Sequence, residues 1–461
     1  MASTRKSPSS SALLARVTQV LIQNIRRGER LVAGLSGGVD SVVLLDLLQR
    51  ASRRLPFELA ALHINHQINP AAGRWAAFCR ALCRQRRIKC TVVRVTVPRG
   101  NSLEAAARAA RYRAFGALRA DFVVLAHNLD DQAETVLLQL LRGAGVKGLS
   151  AMPIVREERG ERREGKNRLT PHVSHFTPSI LRPLLDVPRS DIVAYARRRR
   201  LEWIEDDSNA DLGFDRNFVR HRVLPMIAQR YPSYRKILLR ASRNFAEASQ
   251  LLDELAAADA RLTADGLSLT GLRQLSAARA KNAVRYFLAA HGAIMPNAAR
   301  LDECVRQVLD GGRGTRMALD LGSHRLLRFA DELRLVAKCD ASPFAGARAW
   351  RGESKLRMTE LGGTLSMKKC RGAGISLDRL LAAPVTVRAR RGGEHFKADA
   401  RRPRRSLKNL LQEARVPPWL RGRLPLLFSG ATLVYVPGIG IDPAYRAARG
   451  EPGVEPRWET C

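Results

Sequence analysis

The chain has 461 residues and a formal charge of +36, carried by 67 arginines and only twelve lysines. Its 45% hydrophobic content is enough for folded cores, which excludes an intrinsically disordered basic chain. The excess points to an acidic partner, nucleic acid ahead of anionic lipid, although a GC-rich genome would produce the same arginine bias.

In chain order, the opening MASTRKSPSSSALLARV is Ser-rich and basic without an apolar run long enough for a signal peptide, and is expected to be a frayed tail. Four short apolar runs follow at 31–35, 59–64, 92–97 and 122–126, with helical patterns near 40–50, 71–87, 102–119 and 131–142. Nearly all-apolar strands alternating with helices predict an α/β domain with a parallel, doubly wound sheet covered on both faces. Ligands bind such sheets beyond the carboxyl ends of the strands, which directs attention to Ser36 onward, His63 and His127. Residues 156–179 read as a basic surface insertion. Residues 233–312 look mainly helical, a hairpin-like stretch closes near Lys338, and Gly, Pro and Ser around 342–354 suggest a linker. Short strands mixed with a basic helix fill the rest. The expected divisions are a catalytic domain over 1–225, a helical middle domain over 233–340 and a basic, mixed α/β domain over 350–461.

The seven cysteines are odd in number, scattered and without a CxxC pair, which argues against a secreted disulfide framework and for a cytoplasmic chain with free thiols. Cys79 and Cys83 read better as buried thiols than as half a metal site with His63 and His66. No stretch approaches the ~18–20 apolar residues of a membrane span, so no membrane partner is expected.

Two clusters carry chemistry. Ser36-Gly37-Gly38-Val39-Asp40-Ser41 follows a strand and opens a helix. Two glycines let the backbone turn so that N–H groups point at phosphate oxygens, the Ser36 and Ser41 hydroxyls add donors, and the helix N-terminus adds partial positive charge. There is no Gly-Lys-Ser/Thr ending, so the loop is not a Walker A. It resembles the pyrophosphate loop of the ATP pyrophosphatase (PP-loop) superfamily, whose members cleave ATP between the α and β phosphates. The second cluster is His127-Asn-Leu-Asp130-Asp131-Gln-Ala-Glu134, where the fourth strand gives way to a helix. Asp131 and Glu134 share a helical face. Carboxylates facing a triphosphate would repel it unless a cation such as Mg²⁺ intervenes; a capped helix start is the structural alternative.

The stretch HNLDDQAETVLLQLLRGAGVKGLSAM (127–152) resembles the second signature of tRNA(Ile)-lysidine synthetases. HINH at 63–66, EAAARAARYRAF at 104–115, LRPLLDVPRSDI at 181–192, EDDSN at 205–209, RNFVRHRVLP at 216–225, RRGGEHF at 390–396 and YVPGIGID at 435–442 agree, in family order. HINHQIN departs from the family's usual HVNHxLR-like string, so Asn69 stands where an arginine is common. The resemblance implies an adenine nucleotide alpha hydrolase-like fold and ATP-dependent ligation of free L-lysine to the wobble cytidine of a tRNA(Ile) with a CAU anticodon. ATP would sit on Ser36–Ser41, with Mg²⁺ near Asp40, Asp131 and Glu134. The C2 carbonyl oxygen of the cytidine would attack the α-phosphate, and the lysine ε-amine would then displace AMP. His127 is the candidate base by position, and Arg216 and Arg222 are candidates for contacting phosphate or the adenylate.

The strongest basic segment, 388–423, carries a net charge of +9, with Phe396 and Trp419 interleaved for stacking or packing. Arg390, Arg391, Arg401, Arg402, Arg404, Arg405 and Lys408 are its candidate tRNA contacts, and a homodimer is left open. The competing readings are a tRNA thiolase, a GMP or NAD synthetase, and a non-catalytic RNA-binding protein.

Overall fold

A computed structural model describes residues 10–96, 103–156, 177–206, 211–263, 266–311, 317–338 and 346–460. The first nine residues of the expected frayed tail, most of the 156–179 insertion and part of the linker lie outside the described residues; from Ser10 on, that stretch is helix rather than tail, and Leu13, Leu14 and Val17 are buried in the core. The chain folds as two units, 1–254 and 255–461.

The first unit opens with α1 (Ser10–Asn24), β1 (Arg30–Gly34) and α2 (Val39–Ala51). It continues through β2 (Glu58–Asn65), α3 (Ala72–Gln85), β3 (Lys89–Arg94), α4 (Leu103–Gly116), β4 (Phe122–Val124) and α5 (Leu129–Leu141). After α6 (Val146–Leu149), β5 (Val155–Arg156) and β6 (Ser179–Leu181) come α7 (Arg189–Arg198), α8 (Asp215–Phe218), α9 (Leu224–Arg230) and α10 (Tyr234–Asp259), whose last residues already belong to the second unit. The sheet order is β3-β2-β1-β4-β6-β5, parallel except for the edge strand β5. β1 pairs with β2 on one side and β4 on the other. Strand order therefore reverses between β1 and β4, and both sequence clusters follow the two strands that flank this switch point.

Burial explains why these segments adopt these forms. The middle of β1, Leu31-Val32-Ala33, is buried on both faces. α2 is apolar almost all round because it lies in the thickest part of the core, where Leu44, Leu45 and Leu48 meet Val17 of α1, Cys83 of α3 and Ile192 of α7. A smaller core on the opposite face joins Val32, Leu62 and Val123 to Phe115 of α4. Cys79 and Cys83 are buried thiols, as expected. One polar junction crosses the larger core: Tyr195 Oη donates to Asp46 Oδ2 at 2.6 Å, and Arg86 Nη1 donates to Asp46 Oδ1 at 2.8 Å.

The second unit begins with the middle region. Helices Ala277–Ala290 and Ala298–Asp310, started by the side chains of Ser276 and Asn297, pack Val284, Phe287, Leu301 and Val308 on a four-stranded antiparallel sheet. Three of its strands are the expected hairpin-like stretch. The fourth, Leu267–Ser268, is too short for a periodicity to announce it. The C-terminal region holds a five-stranded and a four-stranded antiparallel sheet, with the helix Leu407–Glu413 beside them. Among the described residues, no helix is long and apolar enough to cross a membrane.

Candidate active site

The turn after β1 is shaped from within. Gly37 has φ +96°, a conformation that glycine adopts without a Cβ penalty. Ser41 Oγ accepts from the backbone N–H of Ser36 and of Gly37, each at 3.2 Å, and donates to the Gly38 carbonyl at 2.9 Å. The Ser41 hydroxyl, expected as a phosphate donor, is thus the post around which the loop is wound, and Ser36 Oγ donates to it at 3.1 Å. Beyond them α2 begins, and the leading N–H groups of any helix lack intrahelical acceptors.

The start of α5 combines both readings of its sequence. Asn128 Oδ1 accepts from the N–H of Asp130 and Asp131, and Asp131 Oδ2 accepts from the Asn128 N–H at 3.0 Å, which forms a capping box. The other oxygen, Asp131 Oδ1, accepts from Arg216 Nη2 at 2.9 Å. Glu134, only 1% exposed, takes Arg216 Nε on Oε2 at 2.7 Å and Arg220 Nε on Oε1 at 2.6 Å. The two arginines lie one turn apart where α8 runs into a single π turn, Val219–Val223. Burial works against their charge, but the Asp131 and Glu134 carboxylates outweigh it and raise both guanidinium pKa values.

Asp40, in the first turn of α2, is the odd carboxylate. Its Oδ1 is buried without a hydrogen-bond partner, and Oδ2 lies 3.6 Å from Arg189 Nε. Burial, with a contribution from Asp131, pushes its pKa up to about 6 against the pull of Arg189. It borders a cavity of about 920 Å³ that opens over the ends of β1 and β2, walled by Ser36, Gly38, His63, His66, Trp75, Trp203 and by Arg111, Arg189 and Arg220. Burial lowers the pKa of both His63 and His66.

Three expectations change. His127 does not line the cavity: its Nδ1 accepts from Arg182 Nε at 3.2 Å, and burial together with Arg182 drives its pKa to about 3. A ring so hard to protonate, with that lone pair engaged, is a poor proton acceptor near neutrality. Arg222 is exposed and Arg220 holds the inward position; the four-residue spacing from Arg216 was the signal that would have found it. The three expected Mg²⁺ ligands do not act together. Mg²⁺ takes one or two carboxylates beside phosphate oxygens and water, and Asp40, with its orphaned oxygen, fits that demand. Asp131 and Glu134 do not, because arginines and the helix cap engage their oxygens. Among the described residues, no group of three His, Cys, Asp or Glu could hold a metal. Sequence reasoning also missed Arg189 and Arg182, whose roles depend on neighbours distant in the chain.

In the C-terminal region Arg391, Arg401, Arg402, Arg404 and Lys408 are exposed. Arg405 is held by both oxygens of Glu413, and Arg390 lies half-buried beside Glu394. Phe396 is a core side chain, 1% exposed, so it is closed to base stacking, and Trp419 packs edge-on to Phe329 at 5.5 Å between ring centres.

Comparison with known proteins agrees along the chain. Residues 10–227 match the family model of the PP-loop domain, 267–334 that of the TilS substrate binding domain and 385–458 that of the TilS substrate C-terminal domain. The chain is 45% identical over 441 residues to the tRNA(Ile)-lysidine synthase of Nitrosomonas europaea, covering 94% of this chain and 93% of that protein. It is 41% identical over 432 residues to that of an Azoarcus species, covering 93% and 91%. Among solved structures, the U34-tRNA thiolase of Methanococcus maripaludis is 16% identical over 51% of this chain and 78% of its own, with a TM-score of 0.42. With relatives this similar over nearly their whole length, the chain belongs to the tRNA(Ile)-lysidine synthase family.

Proposed function

We propose that this chain joins free L-lysine to C2 of the wobble cytidine of tRNA(Ile) bearing CAU, converting ATP to AMP and pyrophosphate. The observation that carries the reading is that the Ser36–Ser41 loop and Arg220, which Asp131 and Glu134 hold, border one cavity at the switch point.

In this reading the first turn of α2 and the loop backbone cradle the phosphates, and Arg189 and Arg220 at the cavity wall stabilise charge that builds on them. Asp40 would hold Mg²⁺, which when bound supplies further charge stabilisation on the phosphates. The cytidine C2 oxygen bonds to the α-phosphorus as pyrophosphate leaves. The lysine ε-nitrogen then bonds to C2, AMP departs with that oxygen, and the nitrogen loses a proton. Amines are less readily protonated where solvent is excluded and guanidinium groups are near, so the arginine-lined cavity favours the neutral amine. Exposed Arg391, Arg401, Arg402, Arg404 and Lys408 contact the tRNA backbone, and the reaction takes place in the cytoplasm.

The test is incubation with ATP, labelled lysine and unmodified tRNA(Ile) with CAU, with elongator methionine tRNA as control. Label is expected in the isoleucine tRNA alone. Label in neither tRNA overturns the proposal.

A further inference from the structure

The end of the first unit opposite the cavity has a chemistry that the ligation does not use. In a parallel sheet with antiparallel helices, the carboxyl ends of α2, α3 and α7 gather at the amino ends of the strands. Here they are tied to one another. Arg50 Nη1 donates to Tyr195 Oη at 2.8 Å, Gln49 Nε2 donates to the Arg86 carbonyl at 2.8 Å, and Arg199 Nε lies 3.8 Å from Asp46 Oδ2, the same carboxylate that holds Arg86. Three helix ends thus form one rigid platform, and it is crowded with cations. Arg53 and Arg54 follow α2, Arg84 and Arg87 close α3, and Arg197 and Arg200 stand in the run of four arginines that ends α7; all six are exposed.

A basic residue in a helix's last turn offsets the helix dipole, and one cation per end is enough for that. Further guanidinium groups on the same platform repel one another. The carboxylate at the junction, Asp46, is buried beneath Arg86 and Arg199, and the acids on the neighbouring loops include Glu29, Glu58, Asp121 and Glu202, fewer than the arginines gathered there. Such an excess fits a polyanion, and guanidinium forks match phosphate oxygens in pairs. α2, α3 and α7 expose no large apolar side chain. A membrane-seated face needs apolar side chains to insert, so the chemistry favours RNA over lipid.

We propose that this platform, at the other end of the strands from the catalytic cavity, is a second RNA-binding face that holds phosphate backbone without reading sequence. The test uses the full chain with Arg53, Arg54, Arg84, Arg87, Arg197 and Arg200 all changed to Gln, leaving Arg50, Arg86 and Arg199 to hold the platform. The probe is a duplex RNA of arbitrary sequence, titrated at several salt concentrations. The expected result is at least ~10-fold weaker binding near 0.1 M salt and a salt slope shallower by about 3–5, at roughly one unit for each phosphate no longer neutralised. Lysine incorporation at saturating tRNA stays at the parent rate. In a second measurement on the unaltered chain, RNA is expected to protect Arg53, Arg54 and Arg197 from phenylglyoxal. Unchanged affinity and slope, or equal labelling with and without RNA, overturns the proposal. So does a variant that keeps RNA binding but loses binding to phosphatidylglycerol vesicles, which would make the face a lipid site.

Discussion

The backbone N–H of Ile204 donates to the carbonyl of Gly37 at 2.9 Å, and Ile204 Cδ1 stands 3.0 Å from where a Cβ on Gly37 would lie. The phosphate loop is therefore braced by a segment far along the chain, on the one residue whose left-handed φ excludes a side chain without strain. Gly37→Ala is expected to cost about 1–3 kcal/mol in backbone strain and to lower ATP–pyrophosphate exchange at least ~10-fold. Exchange at the parent rate would show that the loop tolerates a different shape.

Glu134 compensates two guanidinium groups at once. Glu134→Ala leaves Arg216 and Arg220 facing one oxygen of Asp131, and breaking a buried ion pair costs about 3–5 kcal/mol. The variant is expected to lose lysine-dependent AMP formation and also to unfold at lower denaturant. Glu134→Gln keeps the shape without the charge and should lose less stability while remaining at least ~100-fold slower. Denaturant midpoints and AMP release, measured on both variants, separate the structural part from the chemical one.

Arg220 and Arg222 are two residues apart and are expected to behave oppositely. Arg220→Ala removes partners of Glu134 and a cation at the cavity wall, and should lower kcat/KM by ~100-fold or more. Arg222→Ala, on an exposed side chain, should stay within ~3-fold of the parent. Steady-state kinetics on the pair decides the matter, and equal losses would place Arg222 in the site as well.

Asp40 gives a pH signature. Its folded-state pKa of about 6 lies above the ordinary aspartate value of 3.8, so between those limits the folded protein binds more protons than the unfolded one. Its contribution is favourable at low pH and is lost as pH rises through about 6. Asp40→Asn should match the parent's stability near pH 3, below the ordinary aspartate value, and exceed it near pH 8. The gain is about 1–2 kcal/mol, allowing for solvent reaching a side chain 30% exposed. Denaturant midpoints at the two pH values measure this, and the same variant should be inactive.

Changing Arg401, Arg402 and Arg404 to Gln should weaken tRNA(Ile) binding and make its salt slope shallower by about 2–3, with kcat at saturating tRNA little altered. Binding titrations at four salt concentrations read this directly, and a slope equal to the parent's would remove these residues from the interface.

What could be read beforehand was local. SGGVDS after an apolar strand specifies a turn with a glycine at positive φ, and Asn128-x-x-Asp131 is a capping pattern as well as an acidic cluster. Both sit where the strand order reverses, so the α/β layout and the neighbourhood of the site were legible. Partnerships formed by packing were not. Nothing near Glu134 announces that arginines some 80 residues later will engage it, and nothing near His127 announces a buried Arg182 against its ring. Periodicity around Arg216 would have favoured Arg220 over Arg222. The aromatic residues of the basic segment left stacking and packing equally open, and Phe396 belongs to a core that only the folded C-terminal sheets define.

The scarcity of lysine has a consequence for selectivity. An activated C2 carbon reacts with any neutral amine held close to it, and an enzyme that hands a lysine side chain to such a carbon must keep its own amines away. The described cavity wall carries its positive charge on Arg111, Arg189 and Arg220, with no lysine among them. A guanidinium stays protonated at any physiological pH and has no lone pair to offer. In the proposed reaction the wall would therefore attract phosphate without offering a nucleophile that could join the protein covalently to its RNA.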